Sequence, residues 1–247
     1  MKIGMTTVTF RTKNVEEIIR ISKKAGIDGL EWAEGEEHIV SQDKDRTEAI
    51  KKLSKENNLE IFSYGSYCRM TDKEECAKAV ETAAILGAPI IRVWAGKKGS
   101  QLCERQYYDT ILENSKYMAK LAKKEGIRID FEYHPKTLTD NDDEAILLIE
   151  RIGMDNVGLY WQTNCALSFE ENAASFEKIR PYMFRNIHIN TGVPGCGFLN
   201  ISEVYEQMYG YFNPHKSENY NLIIEFVKDG TEDNFIKDVQ ALRRIIS

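Results

Sequence analysis

The chain has 247 residues, of which 42% are hydrophobic and 29% charged, with a formal net charge of −6. That composition argues against disorder and for a sizeable buried core, and the acidic balance argues against a surface of clustered Lys and Arg, so no nucleic-acid partner is expected. The five cysteines (Cys68, Cys76, Cys103, Cys165 and Cys196) are odd in number and contain no CxxC pair, which suggests neither a disulfide framework nor a zinc knuckle and fits a reducing compartment.

The opening stretch "MKIGMTTVTFRTKN" carries no long apolar segment, and no run approaches the roughly 18 apolar residues of a membrane span. A cytoplasmic protein with no membrane partner is expected. Short β-rich runs then recur along the chain: "KIGMTTVTF" from residue 2, "DGLEWA" from 28, "LEIFSYGSY" from 59 and "IIRVWAG" from 90. They continue with "RIDFEYH" from 128, "VGLYWQTN" from 157, "FRNIHIN" from 184 and "LIIEFVKD" from 222.

Between the runs lie charged segments with helical apolar spacing, such as Val15, Ile18, Ile19, Ser22 and Ala25, which bury one stripe and solvate the other. Asn14 before Glu17 and Thr71 before Glu74 read as N-terminal capping arrangements. Glycines in "KAGID", "ILGAP", "KEGIR" and "RIGMD" read as helix-to-strand turns. The repeat averages roughly 30 residues, the size of one βα unit, and eight such units close most simply into a single-domain (β/α)8 TIM barrel spanning 1–247. A doubly wound open sheet would place a phosphate-binding glycine loop after its first strand, and "TTVTFRTKN" offers none.

Strand side chains alternate faces, so parity within each run separates inside from outside. In "RIDFEYH", Asp130, Glu132 and His134 point into the barrel. In the sixth run Tyr160, Gln162 and Asn164 do so, in the seventh Asn186, His188 and Asn190, and in the eighth Glu225. Four consecutive strands therefore send Glu132, Gln162, His188 and Glu225 toward the C-terminal end, where barrels of this kind carry their sites. Buried carboxylates cost several kcal/mol unless paired or coordinated. One divalent cation explains the set: three oxygen donors and an imidazole suit Mn²⁺, Mg²⁺ or Co²⁺, with Zn²⁺ admitted by the histidine. Gln162 stands where a carboxylate is expected; it either ligates the cation or binds substrate.

The segments "GLEWAEGEEH", "FEYHPKTLTD", "LYWQTN", "NIHIN" followed by "VPGCG", and "IIEF" make the chain resemble the sugar isomerases and epimerases with the xylose-isomerase-like TIM barrel. The resemblance covers most of the chain and implies a metal site on Glu132, Gln162, His188 and Glu225. It further implies a sugar isomerase or epimerase acting on a ketose or related polyol, in which Glu132 and Glu225 act as base and acid beside a carbonyl. Asn164, Asn190 and His134 would bind hydroxyls, with Arg92, Trp94, Glu31 and, at reversed parity, Trp32 completing the pocket. Dimers or tetramers are common among similar proteins, so a homo-oligomer is expected, although no interface is legible.

Simpler readings stand beside these. Glu132 and Glu225 fit an internal ion-pair network with Arg92 and Arg128, His134 fits a strand-end cap, and His38 fits a pocket rim or, more often, a solvated loop. A keto-polyol dehydratase shares the enolisation step, and a non-catalytic sugar-binding protein on a decayed scaffold would explain Gln162. The few histidines and acidic balance argue against an abasic-site endonuclease.

Overall fold

The computed structural model describes residues 1–164, 166–193 and 197–247, so Cys165 and Cys196 lie outside the described residues. Eight parallel strands close a barrel: β1 (Lys2–Thr6), β2 (Gly29–Ala33), β3 (Glu60–Gly65), β4 (Ile90–Val93), β5 (Arg128–Glu132), β6 (Val157–Gln162), β7 (Met183–Ile189) and β8 (Asn221–Ile224). Each strand is followed by a helix, from α1 (Val15–Ala25), α2 (Lys44–Glu56), α3 (Lys73–Leu86) and α4 (Arg105–Lys124) to α5 (Asp142–Ile152), α6 (Phe169–Ile179), α7 (Tyr205–Phe212) and α8 (Glu232–Ile246). The expected (β/α)8 barrel is therefore the fold. Every β-rich run coincides with one of these strands, β7 and β8 starting one residue before their runs, but several strands stop short of the run's polar end. Trp94, His134, Asn164 and Glu225 lie just past β4, β5, β6 and β8, where the ladder gives way to the loops that form a barrel's C-terminal face. No helix among the described residues is long and apolar enough to cross a membrane.

Local chemistry sets the punctuation. Asn14 and Glu17 form the expected capping box on α1. On α3 the cap is Asp72, not Thr71: its carboxylate accepts from the Glu74 and Glu75 amides, and an ionised acceptor also answers the positive end of the helix dipole. The four expected turn glycines, Gly26, Gly87, Gly126 and Gly153, all have φ between 62° and 75°, the left-handed region that ends helices.

The apolar core has two zones. Outward-facing side chains such as Ile129, Phe131, Leu159, Trp161 and Leu222 pack beneath the helices. Trp32 belongs to this zone, with its indole N–H donating to Ser54 Oγ on α2 at 3.0 Å, so it is not part of a pocket. Its parity made that outcome the physical one. Inside the barrel, Phe62, Tyr160 and Ile223 form a separate plug. Gly4 and Gly29 make room for it, since a Cβ at Gly29 would sit 2.5 Å from the Phe62 ring and 2.6 Å from the Glu60 carbonyl oxygen. Gly29→Ala is expected to destabilise the fold by about 1–3 kcal/mol, measured by denaturant unfolding. An unchanged midpoint would show that the ring has space to retreat.

Candidate functional site

Above the apolar plug the barrel interior becomes polar. Glu31 on β2 is fully buried. Its Oε2 accepts from Ser63 Oγ and Tyr160 OH, both at 2.8 Å, while its Oε1 accepts from His188 Nε2 at 3.1 Å and lies 3.6 Å from Arg92 Nη2. Gly65 leaves space for this pairing, because a Cβ there would lie 2.9 Å from both Arg92 Nη2 and Glu31 Oε1. Glu31, expected as a substrate ligand, thus sits beneath the site with both oxygens engaged and does not line the cavity above. Arg92 also reaches upward, with Nη1 3.3 Å from Glu132 Oε2 and donating to the Ser66 carbonyl at 3.2 Å. It joins two carboxylates in an internal ion-pair network, one of the two roles open to it from sequence.

His188 is the hinge of the constellation. Its Nε2–H is fixed on Glu31, which leaves Nδ1 facing Glu132 Oε1 at 3.4 Å and Glu225 Oε2 at 3.8 Å. Ligand atoms of Glu132, His188 and Glu225 all lie within 4.8 Å of one another. Gln162 is level with His188 across the β6–β7 pairing. Its amide N–H donates to the Tyr133 carbonyl, so the side-chain oxygen is the end left over. Two buried atoms in this cluster, Gln162 Oε1 and His188 Nδ1, have no hydrogen-bond partner. Buried polar atoms are rarely left so. A divalent cation would satisfy both, and the donor set of two carboxylates, an amide oxygen and an imidazole held by a third carboxylate, Glu31, fits one.

The charges are strongly unequal. Burial opposes ionisation of Glu132, but Arg92 and His188 outweigh it and hold the carboxyl down to about 2. Glu225 is raised, because burial and the neighbouring Glu132 charge outweigh His188 and Arg92. Burial would lower His188, yet Glu31, Glu225 and Glu132 push it up to about 10. The imidazolium therefore adds stability that is complete below about 6.5, the free-imidazole value, and fades as pH rises through about 10. A cation must displace that proton. Mn²⁺ affinity is expected to rise about tenfold per pH unit between roughly pH 6 and 8 with one proton released, measured by calorimetry in buffers of different ionisation enthalpy. Affinity flat across that range would show that His188 is not a ligand.

A cavity of about 630 Å³ opens over these groups, within the usual size of a small-molecule site. Glu132, Gln162 and Glu225 form part of its lining, as do Arg92, Trp94, His134, Asn164 and Asn190. The Trp94 indole N–H donates to Glu132 Oε2, and Asn190 Nδ2 donates to Glu225 Oε2 at 3.2 Å. Asn164 Oδ1 is used in a local turn, accepting from the Ala166 amide at 3.0 Å, and His134 Nδ1 lies 2.7 Å from the Pro135 carbonyl oxygen. Both still present ring or amide edges to the cavity. His38 is not in a solvated loop: it is buried, 3.1 Å from Thr7 Oγ1 and 3.0 Å from the Lys13 carbonyl, and lines a smaller chamber beside this cavity.

Loop residues complete the wall without any periodic signal to announce them: Val8, Arg11, Tyr67, Asp140 and Phe226. Phe226 has φ 59°, a conformation that costs a bulky residue roughly 1–3 kcal/mol. Its amide donates to Thr9 Oγ1 at 3.1 Å, which fixes the turn immediately after Glu225.

Residues 19–245 match the family model described as xylose isomerase-like TIM barrel. The chain belongs to that family. Within reach of the family is a curated relative, 3-dehydroshikimate dehydratase of Bacillus anthracis, 25% identical over 207 residues that cover 76% of this chain and 72% of the relative. Among solved structures, a probable 3-DHS dehydratase involved in petrobactin synthesis from Bacillus anthracis superposes with a TM-score of 0.77 at 18% identity, over 98% of this chain and 99% of that one. A D-allulose 3-epimerase from Methylomonas sp. superposes at 0.74 and 15% identity, over 99% and 98%. These structural likenesses establish the shared family fold.

Proposed function

We propose that the chain is a divalent-metal-dependent enzyme that removes and returns a proton on a carbon beside a carbonyl, as a sugar isomerase or epimerase acting on a ketose or related polyol. One observation carries the reading: Glu132 and Glu225, from strands three apart around the barrel, line the floor of the cavity and converge there with the buried His188 just beneath. Glu132, Gln162, His188 and Glu225 would hold the cation, which when bound supplies a Lewis acid beside the substrate carbonyl.

Glu132, kept ionised by Arg92 and oriented by the Trp94 indole, takes the proton from one face of the reacting carbon. Glu225, oriented by Asn190, returns one to the other face. Asn164 and His134 bind hydroxyls at the cavity wall, and the aromatic side of Trp94 excludes water from the reacting centre. We place this enzyme in the cytoplasm, and the family relatives named as epimerases and a dehydratase support an enzyme rather than a passive binder.

The dehydratase relative favours a second reading with the same first step, in which a hydroxyl leaves in place of proton return. Exchange of the α-proton of ketoses into D₂O, followed by NMR with Mn²⁺ present, tests the shared step; growth of an ultraviolet band from a conjugated product marks the dehydratase. No exchange with any ketose and no band from any cyclic keto-polyol would end both readings. Gln162→Asp adds the charge that the cation site lacks and is expected to tighten Mn²⁺ about 10–100-fold by calorimetry. Unchanged affinity would place Gln162 outside the coordination sphere.

A further inference from the structure

Beside the main cavity lies a second chamber of about 370 Å³ that shares three lining residues with it, Val8, Arg11 and Tyr67. It is built by the loops after β1, β2 and β3, on the side of the barrel away from Gln162. Its floor is fixed: the buried His38 ring bridges Thr7 and the Lys13 carbonyl, and the loop closes on itself through the Gly35 amide to the Ile39 carbonyl at 2.9 Å and the His38 amide to the Gly35 carbonyl at 3.0 Å.

At the junction stands Tyr67. One face of its ring stacks on Trp94 at 5.3 Å and 26°, yet the residue remains 42% exposed. Glu34 fastens it there, since Glu34 Oε2 accepts from the Tyr67 amide at 3.0 Å and from Tyr64 OH at 3.1 Å. A large aromatic held rigidly with ring surface in the open offers apolar area at little entropic cost. The chamber it leads into is lined by Glu34, Glu36 and Glu37 against the single guanidinium of Arg11. Such a lining accepts hydrogen bonds from hydroxyls and repels anions.

We infer that this chamber is a second sugar subsite, and that the substrate is a neutral keto-glycoside whose distal ring crosses Tyr67 into it, rather than a free monosaccharide or a sugar phosphate. The inference rests on the reading above only in placing the reacting carbon over Glu132 and Glu225. The reacting unit then fills the main cavity, and its glycosidic oxygen lies near Val8 and Tyr67.

The test compares dissociation constants, with and without Mn²⁺, for D-fructose, fructose 6-phosphate and the neutral keto-disaccharides lactulose, palatinose and turanose. At least one disaccharide is expected to bind tenfold or more tightly than fructose or its phosphate. Gly35→Trp fills the chamber from a position where a new Cβ meets nothing within 4 Å, and is expected to bring the disaccharide back to the affinity of fructose. Tyr67→Ala, which removes the platform without adding bulk, is expected to weaken the disaccharide in the same sense. Equal affinity for all the neutral sugars, tightest binding of the phosphate, or disaccharide affinity untouched by both variants overturns the subsite. Solvent-proton exchange is read separately on the same sugars: its failure removes the catalytic reading, while the affinities still decide the chamber.

Discussion

Glu132→Gln is expected to lower α-proton exchange from the epimer whose proton faces Glu132, and epimerisation in both directions, by about 10²–10⁴-fold at saturating Mn²⁺. The substitution keeps the side chain's volume and an oxygen for the cation, and Arg92 keeps its other partner, Glu31, at 3.6 Å. What it removes is the proton acceptor. Two acids on opposite faces give the experiment a signature that loss of structure does not share. The epimer whose proton faces Glu132 stops exchanging, whereas the other epimer, whose proton faces Glu225, still exchanges with solvent but no longer inverts. Glu225→Gln is expected to give the mirror result. If Glu132→Gln instead silences both epimers equally while Mn²⁺ binding and the melting temperature stay at parental values, a single group serves both faces and the division of labour proposed here is wrong.

The fold was legible because its signals are local and repeated. Glycine at the helix ends, amphipathic helices and eight β-rich runs each rest on near neighbours in the chain, and strand parity carries over directly into three dimensions. Parity also gathered Glu132, Gln162, His188 and Glu225, since an alternation read on four adjacent strands places their side chains on one side. Depth is what parity does not encode. Glu31 and Glu132 share the barrel interior, but the β2–β3 pairing shifts register between Leu30 and Glu31, and Glu31 ends beneath His188 while Glu132 reaches the cavity. Gly65 was the available clue, because a glycine late in a strand marks a place where other groups approach the backbone closely. The wall residues Arg11, Tyr67 and Phe226 come from loops, whose conformations follow from tertiary hydrogen bonds such as Thr9 to the Phe226 amide and not from any period in the sequence.

The depth of Glu31 gives it the largest expected effect on stability. Glu31→Ala is expected to cost about 3–5 kcal/mol in denaturant unfolding, the usual penalty for removing one partner from a buried charged network. Burial alone would raise its carboxyl, yet His188 and Arg92 hold it far below the ordinary range; by the linkage sign for a depressed acid, its contribution is present above about pH 4.5 and is lost as pH falls. Removing it strands the Arg92 guanidinium on Glu132 alone and frees the His188 ring from the hydrogen bond that sets its tautomer. Two further results should therefore accompany the lost stability. The His188 imidazole, raised chiefly against its burial by the Glu31 charge, should titrate at lower pH by NMR in the folded variant. Mn²⁺ binding should weaken about 10–100-fold, as it does when the group orienting a ligating histidine is lost. Glu31→Gln, which keeps the shape and can still accept from His188, should retain more of the stability but show the same fall in the His188 titration. A Glu31→Ala protein with parental stability and an unmoved His188 would mean that Arg92 and Glu132 alone hold the ring, and that the floor of the site is organised from β4 and β5 rather than from β2.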